Sequence, residues 1–516
     1  MQIHEETVVA VASRLRRFYE RKQPYRIYHG STTSTRPSQR HRDNTVDTSS
    51  LNRVLDIDVS KKTALVEPNV PMDALVAATL KAGLVPLVVM EFPGITVGGG
   101  FSGTSGESSS CRHGPFEATI NWIEIVLPNG DIANASRTTG EKADLFWGAA
   151  SAFGTLGVVT LLEVQLRDAK PYVQLTYSLH DRVDVANARI REEIAKDSVD
   201  YVNAIVLSKD GTVVCSGRLS DRLPEGTKPQ RFTRSTDPWF YIHARGLQKS
   251  LRSSPSAETT EYIPLADYLF RYDRGGFWTA EYSFRYFLTP FNCITRFLLD
   301  PLMHTRTLGR AMHHSGLAGF YLAQDVGVPF HKVPEFADWI HDTLNIYPLW
   351  LCPLQVARDT PDARHGLHAE FADIDPGSDA SLFMDFGIWG PLRSSGRRDI
   401  VGQNRLLEMK VRELGGKKCL YAHTYYTEEE FWAHYDRKSY DNVRAKYGAD
   451  WMPSVYDKVK VDVEAEDREL EKWMPWLTAL FWSIWPLRGL YGVLMTLLGS
   501  DYLLKSGSHA QAVKED

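Results

Sequence analysis

The chain has 516 residues, 43% hydrophobic and 24% charged, with a formal net charge of -5. These are ordinary globular values, the length allows roughly two to four domains, and an acidic total with no long basic stripe argues against a nucleic-acid binder. Five scattered cysteines (Cys111, Cys215, Cys293, Cys352 and Cys419) with no C-x-x-C fit a reducing compartment and no metal site.

Residues 1–22 read as an amphipathic helix, with Val8, Val11, Ala12, Leu15 and Phe18 on one stripe; their charges exclude a secretory leader. Arg26-Ile27-Tyr28 ends a strand. A run of small, hydroxyl-bearing residues follows: Gly30, Ser31, Thr32, Thr33, Ser34 and Thr35, closed by Arg36. It reads equally as a phosphate cradle, with Arg36 facing the anion, or as a polar surface turn. Two strands around Ser60-Lys61-Lys62, a helix ended by Gly83, and a buried strand in Leu84–Met90 come next.

Glu91 to Pro115 holds seven glycines and seven Ser or Thr residues in 25 positions. Such a run has too few large apolar groups to pack a core, but its bare N–H groups and hydroxyls suit a pyrophosphate. The candidate contacts are Pro93, Gly94, Thr96, Val97, Gly98, Gly99, Gly100, Gly103, Thr104, Ser105, Gly106, Ser109, Ser110 and Gly114. G-x-G-x-x-G occurs as Gly98, Gly100 and Gly103, but Pro93-Gly94 breaks the preceding strand and SGTSGESSS opens a helix poorly, so the Rossmann reading is rejected. A flexible linker is the bland alternative. Strong strand patterns flank the run closely and weigh against it.

A hairpin at Asn129-Gly130 follows, then a short helix, a turn at Gly154 and Gly157, and a long apolar strand beginning Val158-Val159. Residues 1–175 thus form one α+β unit with three glycine-bearing turns. A ligand touching all three is large and phosphate-bearing, and a flavin dinucleotide has those dimensions.

Residues 176–420 change character. Alternating strands, a polar excursion at 219–260, an aromatic stretch at 266–287, strands at 319–329, 347–357 and 381–391, and a helix at 334–345 suggest an antiparallel sheet with helices on one face. Residues 421–460 return towards the first unit. The tail, 461–516, contains an apolar segment at 473–504, interrupted by Arg488 and broken by Pro475 and Pro486. It reads as a monotopic anchor, a spanning helix, or a lid packed on the protein.

The small-residue loop, the Gly94-Ile-Thr-Val-Gly98-Gly99 run, the I-x-x-I-x-V-L-x-x-G hairpin and the D-L-F-W…G-x-x-G-V-V-T segment together resemble the FAD-binding domain of the vanillyl-alcohol-oxidase, or PCMH-type, flavoproteins. Within that superfamily, EFPGITVGGGFSGTSGESSS, EYIPLADYLFRYDRGGFW, LAQDVGVP, YPLWLCPL and YTEEEFWAHYD are similar to the delta-24 sterol reductases, and the likeness runs with gaps from about Tyr25 to about Val459.

That resemblance implies an α+β fold with a PCMH-type FAD-binding domain and a substrate domain over the flavin. It implies FAD, NADPH, a sterol or terpenoid substrate, and residence on the cytosolic face of the endoplasmic reticulum membrane. The FAD is expected to be non-covalent, since His29 lacks the glycine pair usual at a covalent site and Cys111 is misplaced for one. Lys446 stands where the superfamily carries a lysine. An oxidase or dehydrogenase on the same scaffold is the alternative. Reducing an isolated alkene needs a proton donor, a dry pocket and aromatic faces that tolerate positive charge. The expected donor is Tyr425 with Asp325 as helper, and Tyr426, His423 and Glu281 are further candidates.

Overall fold

The computed structural model describes residues 1–37, 40–138, 140, 142–253, 257–358, 360–392, 397–463 and 484–504. The helix Gln2–Glu20 forms on the expected stripe and buries Val8, Val11, Leu15 and Phe18 against Val46, Val126 and Val158. Each such apolar side chain, fully withdrawn from water, contributes roughly 1.5–3 kcal/mol. Beyond it, β1 (Arg26–Tyr28) pairs in parallel with β2 (Thr45–Asp47).

The first large sheet is built from β3 (Val54–Asp58), β4 (Thr63–Val66), β5 (Leu84–Pro86), β6 (Ile120–Val126), β7 (Ile132–Ser136) and β8 (Val158–Asp168), in the order β3-β4-β8-β6-β7 with β5 on β8. Its pairings are antiparallel, whereas a dinucleotide fold of the Rossmann type needs parallel strands. The strand expected over Leu84–Met90 stops at Pro86; Val88, Val89 and Met90 are buried without ladder pairing.

Inside the glycine run lies a helix, Val97–Gly103, where bare loop was expected. Its N-cap is Thr96, whose Oγ1 accepts from Gly99 N at 3.1 Å. Val97 and Phe101, four residues apart on one face, are fully buried and hold it down. The weak helix-forming stretch begins where this helix ends.

The second sheet comprises β9 (Tyr172–His180), β10 (Tyr201–Ser208), β11 (Gly211–Ser220), β12 (Glu258–Pro264), β13 (Tyr321–Pro329), β14 (Leu349–Gln355), β15 (Leu382–Pro391) and β16 (Lys417–Lys418), in the order β12-β9-β11-β10-β14-β15-β13-β16. The boundary between the sheets falls between Asp168 and Tyr172, just before the expected 175. Alternation along the strands gives this sheet two faces. Leu322, Val326, Val328, Met384, Phe386 and Ile388 pack under the helices Val183–Ile194, Val333–Trp339 and Arg397–Glu413. The opposite face carries Asp325, Asp385 and Trp389 towards the first unit.

Two helices here had no strong signal. Phe240–Leu251 forms within the supposed polar excursion because Phe240, Tyr241, Ala244 and Leu251 are buried along it. Arg397–Glu413 docks through Leu407 and Val411. The chain then returns to the first unit as expected. In the helix Arg437–Lys446, Tyr440 Oη donates to Thr155 Oγ1 at 2.8 Å, and a Cβ on Gly148 would meet Val443 at 2.7 Å, so that crossing needs glycine.

Of the apolar tail, residues 473–483 lie outside the described residues. Leu487–Leu497 is a helix lying along Thr305–Ser315. Arg488 donates to the carbonyls of Ser315 and Gly316, and Gly492 lies so close that a Cβ would sit 2.5 Å from Ala311 O. No helix among the described residues is long and apolar enough to cross a membrane.

Candidate active site

A cavity of about 2060 Å³ runs between the two units. Its first end is walled by the three glycine-bearing turns anticipated from sequence. Ser31, Thr32, Thr33, Ser34, Thr35 and Arg36 line it, as do Gly94, Thr96, Gly98, Gly99, Gly103, Thr104, Ser105 and Gly106, and Gly157, Val158 and Val159. The remaining expected contacts stand back from it. Gly30 turns the chain at φ +80°, Pro93 O accepts from Arg306, Val97 and Gly100 are core residues, and Gly114 makes a turn at φ +75°. Ser109 and Ser110 are buried and bonded to Leu87 O and Glu107 N.

The chemistry of this end suits a dianionic linker. Arg26, Arg36, Arg40 and Lys458 all line it. Burial, then Arg26 and Arg40, holds Arg36 down at about 9. Burial, then Arg26, lowers Arg40 to about 10, and burial, then Arg26 and Arg40, drives Lys458 well below the usual amine range. Buried cations that repel one another are relieved by a bound anion. The amides of Ser105 and Gly106 donate to no protein group among the described residues. Gly103 leaves room: a Cβ there would meet only Phe153, at 3.9 Å. The lysine here is Lys458, which donates to Phe153 O at 3.0 Å. Lys446, expected from sequence, is instead at the surface with Asp144. His29 lines the cavity and is held near 3, first by burial and then by Arg40, hence neutral.

The second end is apolar and aromatic, lined by Phe277, Tyr282, Phe284, Tyr286, Phe287, Trp350 and Trp389 with Leu299, Leu302, Met303 and Leu308. Phe277 packs at a tilt against Trp389 and Trp350, with ring centroids 4.5 and 5.2 Å away. It is delivered by three consecutive left-handed residues: Gly275 at φ +88°, Gly276 at +48° and Phe277 itself at +60°. An aromatic residue is strained there, and a Cβ on Gly275 would strike Trp239 at 2.6 Å. The tail helix closes this end through Arg488, Gly489, Leu490 and Val493. Arg306 ties the units together across it, bonding Asp73 at 2.7 and 2.8 Å.

Between the ends lie two carboxyls. In the β13–β15 ladder Asp325 opposes Gly387 and Asp385 opposes Gly327, so both aspartates point to one face, and on its β14 side Asp385 opposes Cys352. Each has a buried Oδ1 with no hydrogen-bond partner among the described residues. Burial, then the Asp385 charge, raises Asp325 well above the carboxylate range. Burial pushes Asp385 up to about 7. Burial and mutual repulsion both favour the protonated form of this pair. Tyr421, which accepts from Trp389 Nε1 at 3.2 Å, and Cys419 complete the wall.

Of the expected proton donors only Asp325 is on the cavity. Tyr425 stacks on His423 and its amide bonds Glu408, and Tyr426 is buried against His434. Glu281 bonds Tyr241 and Arg285. Within segment 421–427 the tyrosine on the cavity wall is Tyr421, not Tyr425 or Tyr426. Asp385 and Glu91 were missed. Asp385 sat in an apolar strand, SLFMDFGIWGP, where a lone acid two positions before a Gly-x-Trp was the available signal. Glu91 lines the cavity, pushed far up by burial and then by Glu107.

Residues 4–136 match the FAD binding domain family. Over 414 residues the chain is 30% identical to the Delta(24)-sterol reductases of Homo sapiens and Macaca fascicularis, covering 79% of this chain and 76% of each. It is 30% identical over 460 residues to the Delta(24)-sterol reductase of Pisum sativum, covering 83% of this chain and 78% of that protein.

Proposed function

The chain belongs to the delta(24)-sterol reductase family, and we propose that it is an FAD-dependent reductase of a side-chain carbon–carbon double bond in a sterol or related terpenoid. The observation that carries this reading is the cavity itself: one continuous space with a cationic, glycine-walled end, an aromatic end, and a paired carboxyl at their junction.

The turns at 31–36, 94–106 and 157–159 would hold the cofactor without a covalent link, its pyrophosphate against the amides of Ser105 and Gly106 and the cations of the first end. FAD bound there and reduced supplies the hydride. The rest is the work of side chains. The aromatic end binds a hydrophobic substrate and excludes water, which strengthens every electrostatic interaction within. Asp325 carries the proton and gives it to the less substituted alkene carbon, and Asp385 keeps that proton available by making double ionisation costly. Positive charge developing on the tertiary carbon faces the rings of Phe277, Trp350 and Trp389, which stabilise a cation. Asp325 thus takes the role assigned from sequence to Tyr425.

NADPH is the proposed electron source. It must enter this same cavity, because neither sheet has the parallel order of a second dinucleotide fold. Association with the cytosolic face of the endoplasmic reticulum membrane is part of the proposal too: the substrate class resides in membranes, and Leu490, Leu494, Leu497 and Leu498 are exposed on and just beyond the tail helix at the aromatic end. Anaerobic mixing of the yellow protein with NADPH tests the redox direction. Rapid bleaching is expected; bleaching by a saturated sterol and none by NADPH would point to a dehydrogenase.

A further inference from the structure

Each turnover of the proposed reaction removes a proton from a buried pair. In that reaction cofactor and substrate would occupy the main cavity, so the pair would need another route to protons. A second cavity, of about 390 Å³, lies behind it. Asp385, Cys419 and Thr104 line both spaces, so Asp385 stands on the wall between them. Polar atoms without partners face this second cavity: Glu117 Oε2, His368 Nδ1 and Gln355 Oε1 belong to residues lining it and have no hydrogen-bond partner among the described residues. Orphaned polar atoms around a space of this size mark a place for water, which needs two to four polar partners per molecule.

We propose that this second cavity resupplies the Asp325–Asp385 pair with protons and that Glu117 is the relay group; the proposal rests on the reductase reading above. Glu117 is 5% exposed, and the Cys419 thiol, on the shared wall, feels Asp385, Asp325 and Glu117 together. Burial pushes Glu117 up to about 7, against a smaller pull from Arg358, so it both holds and releases a proton near neutrality. The other basic groups on this space are Arg112, Arg137, Arg358, Lys417 and Lys418, with His113, which burial holds down at about 4, and His368, which burial keeps neutral. Ser151 Oγ donates to Glu117 Oε1 at 3.5 Å. The proton leaves the Glu117 carboxylic acid, passes along hydrogen-bonded water and ends on an Asp385 carboxylate oxygen. The Glu117 carboxylate is then reprotonated by hydronium from bulk. Only O–H bonds form and break, and no electrons are exchanged.

The test is Glu117→Gln in the flavin-loaded enzyme, with the parent's sterol reduction measured first; a parent with no such activity overturns the reductase reading instead. The variant is expected to lose about a hundredfold in kcat, with flavin content and the rate of flavin reduction unchanged and a larger solvent deuterium effect on kcat. Glu117→Ala is expected to recover part of its activity when formate or imidazole is added, which a purely structural residue would not do. In the cofactor-free protein, the fall in thermal midpoint from about pH 5 to pH 7 should be shallower in Glu117→Gln, since a raised carboxyl stabilises below its unfolded value and loses that as pH rises. A kcat within twofold of the parent's, or a loss that small acids leave untouched while flavin reduction slows in step, overturns the relay.

Discussion

At the scale of single residues, the account turns on Asp325 and Asp385. Asp325→Asn keeps the shape and removes the transferable proton. It is expected to cut alkene reduction by about 10²-fold or more while the protein stays yellow, and stopped-flow traces of each half-reaction check this. The pair also predicts a pH dependence. Asp385 is raised from 3.8 to about 7, so its stabilising contribution is complete below about 3.8 and is lost as pH climbs through about 7. Chemical denaturation of the cofactor-free protein should show stability falling over that window, by at most about 1.4 kcal/mol per pH unit per group, and Asp385→Asn should flatten the fall. Gly103 is the sharpest probe of the cradle. Its absent Cβ points into open space, 3.9 Å from Phe153, so Gly103→Ala should fold and melt as the parent does without cofactor, yet retain less flavin.

At the scale of elements, the tail helix Leu487–Leu497 depends on Gly492 to approach Thr305–Ser315. Gly492→Leu would drive the two helices apart and open the aromatic end, and the expected result is a raised KM for sterol with FAD content unchanged. Elements also show what the sequence makes legible. The hairpin at Asn129-Gly130, the helix ended by Gly83 and most long strands of both sheets are written in local periodicity; Glu258–Pro264, which starts inside the supposed polar excursion, and the strand that stops early at Pro86 are exceptions. The helix Val97–Gly103 is only weakly written locally: glycine disfavours it, and the Thr96 cap together with the burial of Val97 and Phe101 sustains it. Phe240–Leu251 likewise depends on burial, four of its apolar residues packing inward against the pull of its Arg, Ser and Lys. The cradle was legible because small residues cluster in sequence. Asp325 was among the candidates read from sequence, but its pairing with Asp385 was not legible, because the two come together only through strand register.

At the scale of the whole molecule, the fold divides the labour: one antiparallel sheet presents turns and cations, the other presents acids and rings, and the cavity lies where they meet. Buried cations held below their usual ranges make the cofactor-free protein the less stable form. Loading with FAD at a hundred times its Kd should add about 2.7 kcal/mol, seen as a higher melting midpoint, and ADP, which carries the pyrophosphate without the flavin, should give part of that shift. The most direct measurement incubates the purified protein anaerobically with NADPH and a sterol unsaturated in its side chain, then takes the mass of the sterol. A product two mass units heavier, formed only when FAD and NADPH are both present, is the predicted result. A sterol recovered unchanged from a yellow, NADPH-reducible protein, or one made lighter, would contradict the account.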